Sequence, residues 1–217
     1  MAKWYVAAKK ADFNGIGQRF SISPVLARVI RNRDIEGDEA IEKYLHGTIR
    51  DLYDPAFLKG SREAVLLLKD KIKGQMPIRV IGDYDADGIC SSYILKRGLE
   101  ACGAVVDTMI PHRMKDGYGL NEHLVDEAYA DGIDTILTCD NGIAAYAQIE
   151  QAKKYGMTVI ITDHHEIPYE EEPLAEPDPE TGETSRRRYK IPPADVVIDP
   201  KQRHLSVPGD LWCGRCI

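Results

Sequence analysis

The sequence predicts an α/β fold: a parallel sheet flanked by helices, preceded by a small helical N-terminal region. Short β-rich runs at 78–81, 105–110, 135–139, 158–162 and 196–198 alternate with helical stretches, a spacing that implies right-handed crossovers between parallel strands. Before residue 76 the apolar spacing is helical throughout. Three of the strands are followed at once by acidic clusters, and the carboxyl ends of parallel strands are where such sheets gather their functional residues.

The helical region is expected over 1–75. Ser23 followed by Pro24 is a helix start, with Leu26, Val29 and Ile30 on one face. Asp38 is suited to cap a second helix carrying Ile41 and Leu45. A third, over 62–73, carries Ala64, Leu67, Leu68 and Ile72. No chemically convergent residues occur in this block, which reads as a packing or docking subdomain. The sheet domain is expected over 76–217, its helices beginning near Gly88, Asn121 and Ala144.

Six of the 12 prolines fall within an acidic, Pro-rich insertion at 168–193, which ends in Arg186, Arg187, Arg188 and Lys190. The arginines suggest a phosphate clamp; the composition fits better a solvated, mobile loop inserted between two strands.

Composition narrows the function. With 28 Lys and Arg against 35 Asp and Glu, the net charge is −7, so bulk charge would not hold the chain to nucleic acid. Any polyanionic substrate must meet a local basic patch or bound cations. The 43% apolar content over 217 residues excludes disorder as the overall class. No stretch approaches the roughly 20 apolar residues of a membrane span, and the first residues lack the apolar core of a secretory signal, so a cytoplasmic protein is expected. Five cysteines do not make a disulfide framework. The isolated Cys213-Gly-Arg-Cys216 spacing is better explained by chance than by zinc.

The chemistry lies in Asp83-Tyr84-Asp85-Ala86-Asp87-Gly88, Cys139-Asp140-Asn141-Gly142 and Asp163-His164-His165-Glu166, each directly after a strand. Packed carboxylates repel unless a multivalent cation neutralises them. Oxygen ligands with imidazole suit Mn²⁺, with Mg²⁺ as the other candidate and zinc less suited. The first cluster alone resembles a calcium loop, but no helix precedes it and the distal acidic ligand is missing. Asp163 alone would read as a helix cap. Paired histidines after a buried strand are harder to treat as core, since burial without partners costs stability.

These three motifs together resemble the DHH phosphoesterase superfamily. Within it, Asp116-Gly117-Tyr118-Gly119-Leu120-Asn121 and Ile198-Asp199-Pro200-Lys201-Gln202 are similar to the RecJ-type family of single-strand-specific 5′→3′ DNA exonucleases. The resemblance implies a two-metal phosphodiesterase, with single-stranded DNA as partner and a role in DNA repair and recombination. By motif position Asp85, Asp87, Asp140 and His164 would ligate metal, with Asp140 the bridge. His165 would sit beside the scissile phosphate or complete the metal shell. Asp163 would orient its neighbours, and Asp83 has the same expected role. Gly88 would let a helix N-terminus approach the phosphate. Arg113, Lys115, Tyr118 and Asn121 are candidates for holding the substrate strand, Tyr118 either by stacking on a base or as a core aromatic.

Members of that family are longer, with a fourth motif carrying another metal-binding Asp, a second cleft domain and an OB-type DNA-binding domain. The sequence is therefore expected to be a truncated or frame-shifted form with weak or absent nuclease activity, and its last residues, 211–217, depart from the family's Gly-rich stretch. Three rivals remain open. Asp85-Ala86-Asp87-Gly88 matches a haloacid-dehalogenase-type phosphatase core, although there the nucleophilic Asp follows its strand directly. An oligoribonuclease or cyclic-dinucleotide phosphodiesterase would use the same three motifs. A remnant that binds metal or nucleic acid without turnover is the third.

Overall fold

A computed structural model of the chain describes residues 3, 9–117, 119–174 and 184–202. The chain divides into two units, Met1–Asp54 and Pro55–Ile217. Among the described residues the first holds three α-helices, α1 (Phe13–Phe20), α2 (Pro24–Asn32) and α3 (Asp38–His46). Asp12 caps α1 by accepting the Gly15 N–H at 2.9 Å, and Ser23 caps α2 by accepting that of Leu26 at 3.2 Å. Both caps satisfy donors that a helix start leaves bare. At α3 the cap position is Gly37, not Asp38, and no side chain caps it. Asp38 lies instead in the first turn, where the helix dipole favours its charge.

The core of this unit is Ile16, Ala27, Ile30 and Ile41. Of the face expected on α2 only Ile30 is buried, while Leu26 and Val29 are exposed. Ala27 takes the inward place, its small side chain allowing α1 and α2 to pack closely.

The second unit begins earlier than the helical pattern suggests. α4 (Ser61–Lys73) belongs to it, because Ala64, Leu67, Leu68 and Ile72 cover one face of the sheet. The strands are β1 (Ile78–Gly82), β2 (Val106–Met109), β3 (Thr135–Cys139), β4 (Thr158–Thr162), β5 (Tyr169–Pro173), β6 (Ser185–Tyr189) and β7 (Val196–Ile198). Five form one sheet in the order β2-β1-β3-β4-β7, parallel throughout. α5 (Ala86–Ala101), α6 (Glu122–Ala130) and α7 (Tyr146–Lys154) connect successive strands.

Alternation along each strand divides the core into two layers. Ile78, Val80, Leu137 and Ile160 face the layer that holds α4 residues and Leu95 and Leu99 of α5. Ile81, Ile136, Val159 and Ile161 face Leu124, Val125 and Ala128 of α6 and Ile149 and Ala152 of α7. Chain order reverses between β1 and β3: α5 leads to one side of β1 and α6 crosses to the other. Crevices in such sheets open at this point.

The insertion departs from expectation. Within it β5 and β6 pair antiparallel, matching Glu170 with Arg188, Glu171 with Arg187 and Glu172 with Arg186. Glu172 accepts hydrogen bonds from Arg186 Nε at 3.0 Å and Arg188 at 3.2 Å, and Lys190 pairs with Glu170. Arg187 lies over the Tyr169 ring, 4.5 Å from its centroid. Cross-strand charge matching of this kind stabilises a hairpin without an apolar face. The acidic strand thus engages the arginines that a phosphate clamp would need.

Residues 175–183, Tyr118 and the Cys213-Gly-Arg-Cys216 spacing lie outside the described residues. No helix among the described residues is long and apolar enough to cross a membrane.

The place of α4 gives a test. A fragment of residues 55–217 is expected to unfold cooperatively on heating, followed by circular dichroism, because it keeps the α4 cover. A fragment of 76–217 leaves Ile78, Val80 and Leu137 without it and is expected to aggregate or melt without cooperativity. Equal melting of the two would refute the assignment of α4.

Candidate metal centre

The register of the sheet builds the site. Gly82 pairs with Cys139, Cys139 with Thr162, and Thr162 with Ile198. The next residue on each of these adjacent strands is an aspartate: Asp83, Asp140, Asp163 and Asp199. Ladder bonds continue into this row, Asp140 N–H donating to Thr162 O at 3.1 Å and Asp163 N–H to Ile198 O at 3.0 Å. Four carboxylates therefore stand abreast at the carboxyl edge, and each meets a different environment.

Asp163 is satisfied by the protein. Its side chain is 1% exposed. Oδ1 accepts the backbone N–H groups of His164 (2.7 Å) and His165 (3.2 Å) and lies 2.7 Å from His165 Nδ1. Oδ2 accepts Ile143 N–H at 2.9 Å. A carboxylate only accepts, so the His165 Nδ1 carries the shared proton, which turns Nε2 to the far side of the ring.

Asp140 sits in the left-handed region at φ 59°, a conformation short polar residues tolerate and functional sites often hold. Its Oδ1 lies 2.8 Å from His164 Nε2. Burial, with the Asp85 charge adding to it, raises the Asp140 carboxyl above the ordinary range, while His164 acts in the opposite direction. The following turn is fixed by Asn141, whose amide donates to Ile81 O (3.0 Å) and Cys139 O (2.9 Å) and so ties β1 to β3. Gly142, at φ +112°, leaves no room for a Cβ, which would fall 2.6 Å from Thr138 Oγ1.

Asp83 is 1% exposed, and neither of its carboxylate oxygens has a hydrogen-bond partner. An unpaired buried carboxylate is costly unless it coordinates a cation. Asp85 lies close by as the N-cap of α5: its Oδ1 accepts the N–H groups of Asp87 (2.9 Å) and Gly88 (3.0 Å). The Gly88 hydrogen bond is the main cause that holds the Asp85 carboxyl below its ordinary range. Gly88 is required here, because a Cβ would come within 2.4 Å of the Asp83 backbone.

Two groups of potential ligand atoms result, each lying within 4.8 Å of one another: Asp83, Asp85 and Asp140; and Asp140, His164 and His165. Asp140 is common to both. Asp87 falls in neither group among the described residues. It lies in the first turn of α5, whereas Asp85 is the N-cap that precedes the helix. In this geometry the first motif brings Asp83 and Asp85 into a group of potential ligands, where the sequence reading expects Asp85 and Asp87.

The substrate candidates divide. Arg113 is exposed and its guanidinium stands 5.3 Å from the centroid of the Tyr84 ring, beside the first motif. Lys115 is exposed on the same turn. Asn121 is the N-cap of α6: its Oδ1 accepts Leu124 N–H at 3.0 Å and its amide donates to Asp116 O at 2.9 Å. That engagement accounts for its place in the sequence.

Sequence reasoning places Asp199 in the 198–202 segment but gives it no role, although an Asp directly after a strand is the available signal. It is 1% exposed, with Oδ1 accepting Lys201 N–H at 2.7 Å and Oδ2 without a partner. Burial first, then the neighbouring Asp163 charge, raise its carboxyl to about 6, against the Lys201 N–H.

Comparison with known proteins leads to the same region. A family model described as "DHH family, N-terminal domain" matches residues 77–205. The single-stranded-DNA-specific exonuclease RecJ of Bacillus subtilis (strain 168) is 33% identical over 207 residues, covering 95% of this chain and 24% of that protein. The single-stranded-DNA-specific exonuclease RecJ of Thermus thermophilus is 44% identical over 135 residues, covering 59% of this chain and 20% of that protein. The crystal structure of the Thermus thermophilus RecJ in complex with Mn²⁺ aligns with a TM-score of 0.58 at 28% identity, over 90% of this chain and 24% of that one. The chain therefore spans about a quarter of the length of these relatives.

Asp199 gives a pH prediction for the metal-free chain. A carboxyl raised to about 6 from an ordinary 3.8 binds its proton more tightly folded than unfolded, so stability falls as pH rises from about 4 through 6. Discounted for partial screening, the loss is about 1–2 kcal/mol. Urea unfolding of the unaltered chain and D199N at pH 4 and pH 7 is expected to show a loss greater by this amount in the unaltered chain; parallel pH profiles would refute it.

Proposed function

The chain belongs to the DHH family, and from that premise we propose that the strand-end cluster is the divalent-metal centre of a phosphodiester hydrolase acting on single-stranded DNA from its 5′ end. The observation that carries this reading is Asp83, buried with both carboxylate oxygens unpartnered at the reversal point of the sheet. Asp83, Asp85 and Asp140 would hold one ion and Asp140, His164 and His165 a second, with Asp140 between them. This donor set of oxygens and imidazole suits Mn²⁺, with Mg²⁺ as the alternative.

When bound, a divalent pair supplies a water made acidic enough to attack and charge to stabilise the leaving oxygen. The chain's own residues prepare for this. Asp163 fixes the His165 ring by its Nδ1 proton, the arrangement by which a carboxylate orients a ligating histidine. The α5 N-terminus, brought close by Gly88, directs its dipole at the same edge. Arg113 adds exposed positive charge next to Tyr84, and Lys115 is exposed two residues on, where a phosphate backbone would run.

The substrate class and the 5′→3′ direction rest on the resemblance of the motifs to the single-strand-specific exonucleases and on the names of the relatives. Such an enzyme would work in the cytoplasm on intermediates of DNA repair and recombination.

Calorimetric titration with Mn²⁺ and release of nucleotides from 5′-labelled single strands test the proposal. D83N and D140N are expected to weaken Mn²⁺ binding at least about tenfold and to abolish any release, whereas D87N stays within about twofold of the unaltered chain. Equal damage from D87N and D83N would restore the ligand set expected from the motif. Hydrolysis of dinucleotides in preference to long strands would move the assignment to the oligoribonuclease class.

A further inference from the structure

The fourth aspartate of the row lies outside both ligand groups, yet it is as deeply buried as Asp83. Its surroundings show what it does. Asp199 Oδ1 accepts Lys201 N–H at 2.7 Å, and Asp199 O accepts Gln202 N–H at 3.2 Å, closing a tight turn over Pro200. Buried Gln202 locks the turn from the other side, its amide donating to Val197 O at 2.7 Å. The turn aims Lys201, only 19% exposed, at Glu166, with Nζ 2.7 Å from Oε1. Glu166 directly follows His165, and Asp163 N–H is held by Ile198 O, the residue before Asp199. The Asp163–Glu166 turn is thus gripped at both ends by the segment 198–202.

We infer that Asp199 is a positioning residue for the centre proposed above: by accepting the Lys201 N–H it shapes the turn that, through Lys201 and Glu166, sets the Asp163–His165 hydrogen bond. The inference rests on the metal-centre reading, but its mechanism is a hydrogen bond within the protein. Asp199 then acts as an acceptor, and its charge is dispensable. A basic side chain beside a phosphodiesterase site invites the other assignment for Lys201, a contact to substrate phosphate, and the two readings make opposite predictions.

The test uses the full chain and the variants D199N, D199A, K201M, K201R and E166Q. Nuclear magnetic resonance of the metal-free protein reports the His165 Nδ1 proton, and calorimetry reports Mn²⁺ affinity. D199N keeps an acceptor for Lys201 N–H and is expected to retain the Nδ1 signal and the affinity within about twofold. D199A, K201M and E166Q are expected to shift or broaden that signal and to weaken Mn²⁺ binding about tenfold, the scale of a lost orienting contact, with K201R restoring both. K201M combined with E166Q is expected to be no worse than either alone.

D199N as impaired as D199A would overturn the inference, because the charge would then be the working part. An unchanged Nδ1 signal in D199A would overturn it as well. Should D199A fail to fold, K201M decides: an unaltered signal there refutes the clamp. A fall in single-strand affinity for K201M, with salt dependence reduced by about one phosphate contact and no response to E166Q, would assign Lys201 to the substrate instead. If the unaltered chain binds no Mn²⁺, the metal-centre reading fails while the Nδ1 signal still judges the clamp.

Discussion

Four carboxylates in one register row are the constraint to which the rest of the second unit answers. Neighbouring strands are roughly 4.8 Å apart, so Asp83, Asp140, Asp163 and Asp199 are held together by the sheet whatever their charges prefer. Each is relieved by a different means. Asp163 receives backbone N–H groups and an imidazole. Asp140 receives His164. Asp199 retains its proton to higher pH. Asp83 receives nothing from the described protein, and this asymmetry is the physical case for a cation at that end of the row. The overall charge of −7 makes the same demand on a larger scale, since the row of carboxylates would repel an approaching phosphodiester without bound positive charge.

Holding such a row requires a stiff frame, and the sequence supplies it from both faces. The strands are apolar on both sides because helices cover both layers, so the row cannot relax by strands sliding apart. Asn141 ties β1 to β3 at the point of greatest crowding, and Gly88 lets α5 begin almost in contact with Asp83. The left-handed backbone of Asp140 is a local cost that such a frame can bear.

Most of this is legible in the sequence. The five strands of the sheet are readable to within a residue or so, because each is a short apolar run, and the three motifs follow from their place after strands. What the sequence hides depends on register or on pairing. That Asp83, and not Asp87, falls in a group of potential ligands turns on where α5 starts: with Asp85 as N-cap, Asp83 stays on the sheet edge two residues earlier, and Asp87 lies in the first helical turn. Asp199 gains its meaning only when β7 is paired with β4. The β5–β6 hairpin is hidden because Glu and Arg runs carry no apolar alternation, and its signal is complementarity between two segments far apart in sequence. α4 reads correctly as a helix, but only the packing of Ala64 and Leu68 against the sheet gives it to the second unit.

The two ends of the row also differ in what they can tolerate. At the Asp83 end, Asp85 is held low by the N–H groups of a helix start, a setting that keeps a carboxylate charged and ready to share a cation. At the Asp199 end, burial pushes in the opposite direction, and the protein's own lysine and backbone occupy the space. The row thus runs from an end where backbone and lysine engage the turn to one where both oxygens of Asp83 lack a hydrogen-bond partner. A cation pair held as proposed would draw on His164 and His165 on one side of Asp140 and on Asp83 and Asp85 on the other. Imidazoles directly after β4 add nitrogen donors there without adding a further carboxylate to the row.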